Sequence, residues 1–291
     1  MLPTDRPFLA RAGGAIPPTG LVLLAIGSTQ LGAAIAKSLF HELGPAGTVL
    51  LRVGFAALVL LLLWRPRLSG YVRANYLLVI VFGLTLAAMN LSFYSAIERI
   101  PLGIAVTIEF VGPLGVALAG SRRLLDLVWV VLAAVGILLL TPLGGEKLDP
   151  LGVALALLAG SLWATYILMS VRVGRAFTGG AGLAIAMSVG AVVLLPLGVL
   201  GGGTALLDPR LLFAGFGLAL LSSALPYSLE LEALRRLPAS MFGVLMSLEP
   251  AIAAIVGFVL LGEKLGLRAI IAVFLVTLAT LGASLFKTRL E

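Results

Sequence analysis

From Thr19 to Phe286 this chain is an almost unbroken succession of apolar runs, interrupted only briefly by charges, Pro and Gly. About 20 predominantly apolar residues in a helix cross the roughly 30 Å of hydrocarbon in a bilayer. Cut at its interruptions, the sequence gives ten such segments: Thr19–Lys37, Ala46–Trp64, Asn75–Ala96, Pro101–Ala119, Leu125–Thr141, Leu151–Val171, Gly180–Leu200, Leu211–Leu231, Pro238–Leu261 and Leu267–Phe286. The connections are short, which leaves almost nothing for a soluble domain. Hydrophobic residues make up 60% of the chain and charged ones 11%, against about 25% charged in soluble domains. One globular core could not hide that much apolar surface, so a soluble enzyme is excluded and an all-α polytopic membrane protein is expected. The 35 glycines agree, because membrane helices pack closely through small residues.

The chain has no cysteine and a single histidine, His41. A disulfide framework, a thiolate metal site, a cysteine nucleophile and a histidine-rich metal cluster are therefore excluded. No metal or cofactor is expected. The formal charge of +7 is scattered in ones and twos between apolar runs, which reads as membrane topology rather than nucleic-acid binding.

Arg6 and Arg11 followed by an apolar run ending in Ala34-Ile35-Ala36 imitate a cleavable signal. The run is long enough to span and holds Ser28 and Gln30 within it, so it is read as the first membrane helix. Of the 20 Lys and Arg residues, 13 fall on the amino-terminal side of the segments, six on the other, and Arg52 lies inside one. The positive-inside rule then places both termini and the Arg122–Arg123 loop in the cytoplasm, with the Gly144–Pro150 loop outside.

At an offset of 137 residues, Ala96-Ile-Glu-Arg-Ile-Pro101 falls on Ala233-Leu-Arg-Arg-Leu-Pro238, and Pro113, Ala117 and Gly120 fall on Pro250, Ala254 and Gly257. The equal 12-residue spacing of the two proline pairs argues for duplication. Five helices per unit is an odd number of crossings, so the second copy enters from the opposite face. The expected layout is a cytoplasmic segment 1–18, a first repeat 19–141, an external connection 142–150, a second repeat 151–286 and a cytoplasmic tail 287–291. In inverted-repeat transporters the substrate site lies near the midplane between the copies. Pro113 and Pro250 are expected to kink the fourth and ninth helices by freeing the carbonyls of Glu109 and Met246. Such backbone is tolerated only against protein or a cavity.

A charge at the bilayer centre costs at least about 2.5–3.5 kcal/mol, so each needs a partner or a wet cavity. Glu109 is about 12 Å from the outer face and Arg52 about 10 Å, at 1.5 Å per residue. Similar depth and opposite sign make them a candidate pair, either architectural or engaged with substrate or protons. Glu249, about 16 Å deep, has no basic residue at matching depth. It is a candidate proton carrier, or a protonated carboxyl bonded to a neighbouring helix. The candidate substrate-binding groups are Gln30, Asn90, Tyr94, Trp163, Tyr166 and Tyr227, with interhelical hydrogen bonding as the bland alternative. Lys37 reads as a snorkelling interfacial lysine. Glu230 and Glu232, beside Arg235 and Arg236, read as a solvated cytoplasmic boundary.

The runs PLGIAVTIEFVGPLGVAL (Pro101–Leu118), SRRLLDLVWVVLA (Ser121–Ala133), SALPYSLE (Ser223–Glu230) and FGVLMSLEPAIAAIVGFVLLGEKL (Phe242–Leu265) resemble the EamA family of the drug/metabolite transporter superfamily. Within it the chain is most similar to the branch that exports threonine and homoserine. The resemblance runs from about Thr19 to Phe286. It implies ten helices in two inverted five-helix repeats, a bacterial inner-membrane location, and efflux of small amino acids or related metabolites coupled to proton influx. The superfamily also exports aromatic amino acids and carries nucleotide sugars, so the family alone leaves the substrate open.

The sequence has no GxxxxGK[ST] phosphate loop, so transport must draw on a gradient. An intramembrane enzyme would need clustered acids with a metal or a Ser/His pair, and neither is present. A passive facilitator shares the architecture, but would show no saturable counterflow.

Overall fold

The computed structural model describes residues 16–66, 70–119, 124–140, 148–178, 180–234, 236–237, 242 and 245–287. Its elements are α1 (Pro18–Trp64), α2 (Arg73–Arg99), α3 (Leu102–Glu109), α4 (Val111–Ala119), α5 (Leu124–Leu140), α6 (Pro150–Ala176), α7 (Ala181–Gly202), α8 (Pro209–Ala219), α9 (Leu225–Leu234), α10 (Glu249–Leu261) and α11 (Leu267–Lys287). Among the described residues there is no strand. Four helical stretches are long and apolar enough to cross a membrane: α1, α2, α6, and α7 with the 3-10 turn that follows it to Leu207. Leu200, Phe213 and Leu62 remain 83, 79 and 72% exposed. Apolar side chains that bare have lipid as their natural solvent. The chain is a multi-pass helical membrane protein.

Several expected helices are divided. The first two expected segments lie in one element, α1, broken at Gly44, whose φ of 63° and ψ of 171° leave the helical region. Glycine adopts that conformation without steric cost, and Pro45 after it has no N–H to bond back into the first half. The expected fourth segment is split into α3 and α4 at Phe110, because Pro113 cannot donate to the Glu109 carbonyl. The expected eighth segment contains a π-helical stretch, Leu220–Ala224, between α8 and α9. Pro226 sits four residues after Ser222 and leaves the Ser222 carbonyl free in the same way. The expected ninth segment is helical again from Glu249, so Pro250 stands in the first turn of α10. There its missing N–H costs no helix bond, and it marks a helix start instead of the mid-helix kink its sequence position suggested.

Proline also opens α6 and α8. Asp149 and Asp208 cap these helices by accepting the backbone N–H of Leu151 and Arg210, each at 2.8 Å. The order Asp–Pro supplies both the capping oxygen and the preset φ of the first turn. Between elements, α1 lies chiefly along α7, α2 along α6, α3 along α10 and α5 along α11. At the α4–α6 crossing the two backbones nearly touch. A Cβ on Gly160 would lie 2.5 Å from the Glu109 carbonyl oxygen, and one on Gly112 would overlap the Gly160 carbonyl. Only glycine permits that approach, and it sets where Glu109 sits.

Candidate functional site

Three of the breaks, at Phe110, at Leu220–Ala224 and before Glu249, border one cavity of about 480 Å³. Gln30 and Arg52 enter it from the two halves of α1, Asn90 and Tyr94 from α2, and Glu109 from the end of α3. Trp163 and Tyr166 come from α6, Glu230 from α9 and Glu249 from the first turn of α10. The candidate binding residues Gln30, Asn90, Tyr94, Trp163 and Tyr166 and the candidate charged residues Arg52, Glu109 and Glu249 all line this space, while the side chain of Tyr227 falls outside the described residues. Pro113 lines it too.

Gln30 is 2% exposed, and its Nε2 donates to Glu249 Oε1 at 3.0 Å. Glu249 lies in the first turn of α10, where the positive end of the helix dipole favours negative charge. The Arg52 guanidinium donates through Nη1 to Tyr94 Oη and through Nη2 to the Ser222 carbonyl, both at 3.1 Å, and stands 5.3 Å from the Tyr94 ring centroid. Arg52 thus repairs the backbone that Pro226 leaves open, while Ser28 Oγ donates to the neighbouring Leu221 carbonyl at 2.6 Å. Among the described ion pairs there is none between Arg52 and Glu109. The two share the cavity, and Arg52 is held by neutral oxygens instead.

The opposite wall is aromatic. Trp163 meets Phe110 edge-on at 5.1 Å, and Tyr166 stacks on Phe82 at 5.2 Å. Asn90 Nδ2 bonds its own helix at the Leu86 carbonyl, 2.8 Å away. Two residues differ from their sequence readings. Glu230 is half-buried and lines the cavity, whereas Glu232 pairs with Arg236 nearby. Lys37 is held at its tip by protein groups. Its Nζ lies 2.6 Å from Glu263 Oε1 and 3.3 Å from the Ile100 carbonyl it donates to. Sequence inspection also passed over Thr29, Phe110 and Thr280, which contribute to the lining but carry no charge or pattern that would mark them. Among the described residues no group of His, Cys, Asp and Glu could hold a metal.

The cavity is enclosed by helices, holds both signs of charge, and sits where backbone is interrupted. Such an arrangement offers a small polar molecule a place inside a membrane.

Known proteins agree with this geometry. The profile of the EamA-like transporter family matches residues 150–285. The threonine/homoserine exporter RhtA of Salmonella typhimurium (strain LT2) is 44% identical over 274 residues, which is 94% of this chain and 92% of that protein. RhtA of Escherichia coli (strain K12) is 44% identical over 270 residues, 92% of this chain and 91% of its own. A crystal structure of a protein 18% identical to this one covers 93% of this chain and 98% of its own with a TM-score of 0.63, so the fold is shared. With 44% identity sustained over 94% of its length, the chain belongs to the EamA-like transporter family.

Proposed function

We propose that this chain is a secondary active exporter of small amino acids of the threonine and homoserine kind, working in the bacterial inner membrane by proton antiport. The observation that carries the substrate class is the 44% identity, across 94% of the chain, with proteins named for threonine and homoserine export. The cavity between interrupted helices is the proposed binding site, formed by Gln30, Asn90, Tyr94, Trp163, Tyr166 and Tyr227.

The proposed architecture has ten membrane crossings in two inverted units, 19–141 and 151–286, with residues 1–18 and 287–291 in the cytoplasm and 142–150 outside. Three observations support it. The helix interruptions at Phe110 and Ser247 are spaced by the same 137 residues as the sequence repeat. Under that offset α5 falls largely on α11, the helix it packs against. The α2–α6 packing recurs between α1 and the Leu220–Leu234 stretch.

Glu249 is the proposed proton carrier, with Glu109 in reserve. Gln30 suits the task because a primary amide offers both donor and acceptor. It can donate to a carboxylate and, turned over, accept from a carboxyl. Alternating access around a site where substrate and proton exclude each other converts the proton gradient into efflux.

The test is transport by the purified protein in proteoliposomes. Labelled threonine or homoserine should show saturable counterflow and pH-driven accumulation. The Glu249→Gln variant should keep exchange between equal pools and lose accumulation. A variant that still accumulates substrate with unchanged pH dependence would move the proton to Glu109, and flux without counterflow would make the protein a passive facilitator.

A further inference from the structure

Buried polar atoms in folded proteins nearly always find hydrogen-bond partners. Three side chains lining the cavity break that rule. Gln30 Oε1, Arg52 Nε and Glu249 Oε2 are buried with no partner. Two are acceptors and one is a cationic donor. The acceptors belong together, since Gln30 and Glu249 are joined by the hydrogen bond between their other atoms. The donor belongs to a guanidinium whose remaining contacts are a phenol, a carbonyl and an aromatic face. Neither Arg52 nor Glu249 takes part in any of the described ion pairs. The cavity therefore has a cationic pole and an anionic pole that do not neutralise each other. The hydrogen bonds that hold each come from neutral groups, and the carboxyls of Glu109 and Glu230 line the same cavity.

Charges left so in a membrane interior are costly, and a ligand that bears both signs discharges both poles at once. We infer that the site reads its substrate by charge as a zwitterion, with Arg52 taking the α-carboxylate and the Gln30–Glu249 pair taking the α-ammonium. This rests on the proposed exporter function and deepens it. An ammonium has three donors and no acceptor, matching the two open acceptors at Gln30 and Glu249. A carboxylate accepts from a guanidinium in a fork, and Arg52 Nε is the free tine. The aromatic wall of Phe110, Trp163 and Tyr166 is left for the substrate's side chain, which is the part the site reads least strictly.

The assignment also states where exchange is decided. Ammonium binds Glu249 only as a carboxylate, and a proton on that carboxyl removes the charge the ammonium needs. The two occupants exclude each other at one oxygen atom. Amides and hydroxy acids, each with one of the two charges, should bind poorly whatever their side chain.

The experiment measures affinities of L-threonine, L-threoninamide and 3-hydroxybutanoate for the purified protein at constant pH and ionic strength. The amide lacks the carboxylate charge and the hydroxy acid lacks the ammonium. In the wild type each analogue should bind at least about tenfold more weakly than threonine, the scale of one charged hydrogen bond. Arg52→Gln should collapse the ratio of threonine to threoninamide and preserve that of threonine to 3-hydroxybutanoate. Glu249→Gln should do the reverse. A wild type that binds all three alike overturns the assignment without need of any variant, as do variants in which both ratios fall together. Failure of the wild type to bind or move any α-amino acid would remove the exporter function itself. Threonine counterflow with flat ratios would leave that function standing and remove only the charge reading.

Discussion

Lys37 Nζ lies 2.6 Å from Glu263 Oε1, and the second oxygen of that carboxylate accepts the backbone N–H of Leu102 at 2.8 Å. One carboxylate therefore ties the first half of α1 to the start of α3 from the loop after α10. The side chains are 23 and 10% exposed, too sheltered for solvent to replace a lost partner. Lys37→Met and Glu263→Gln should each lower stability by about 1–3 kcal/mol, the cost of leaving a buried polar group unmatched. The double variant should lose less than the two combined. Denaturant titrations in detergent measure the cycle, and simple additivity would show that the contact contributes nothing.

The α4–α6 crossing gives a steric prediction. Gly160→Ala places a methyl group 2.5 Å from the Glu109 carbonyl oxygen, which is backbone and cannot swing aside. The helices must separate, at about 1–3 kcal/mol, and Glu109 must move with them. The variant should melt lower than wild type and transport less. Unchanged melting would mean that the crossing is looser than described.

At the end of α2, Arg99 bonds Asp149 at 3.0 Å. That hydrogen bond, and then the one from the Leu151 N–H, hold the Asp149 carboxyl below its usual value of 3.8. A carboxylate depressed by folding adds stability above its ordinary titration range and loses it as pH falls through its native value. Asp149→Asn keeps a capping oxygen and removes the charge. Melting temperatures of wild type and variant should differ at pH 7 and converge on acidification. A gap that persists or widens in acid would contradict the assignment.

Topology can be tested against a silent background, because the chain has no cysteine. Single cysteines in the 144–150 connection should react with an impermeant thiol reagent in intact cells, and cysteines at 122 or 123 should not. Both stretches lie largely outside the described residues, so labelling tests the charge count directly. Reaction at 122 would invert the proposed orientation.

The cavity was largely legible before the fold was known, and for one reason. A polar side chain in an apolar helix has to face other polar groups, so Gln30, Arg52, Asn90, Glu109 and Glu249 had little choice but to converge. Glu230 escaped because the charges of Glu232, Arg235 and Arg236 close by made it read as part of a solvated boundary, although it follows the lining residues Ser222 and Pro226 at four-residue steps. Lys37 escaped for lack of any local sign, since its partner is 226 residues away in a loop. The prolines were visible, but whether one bends, divides or starts a helix depends on who takes the freed carbonyl. Glu109 has Gly160 alongside and Ser222 has Arg52.

The break at Gly44 leaves Gln30 and Arg52 on two arms of one element, 14 residues before the pivot and eight after it. At 1.5 Å per residue those arms are roughly 21 and 12 Å long, so a turn of about 10° at Gly44 carries their ends through about 4 and 2 Å. Movement of that size outruns any hydrogen bond. A bend so placed would act as a caliper, in which a small rotation at one glycine sets the gap between the two jaws proposed to hold opposite ends of the cargo.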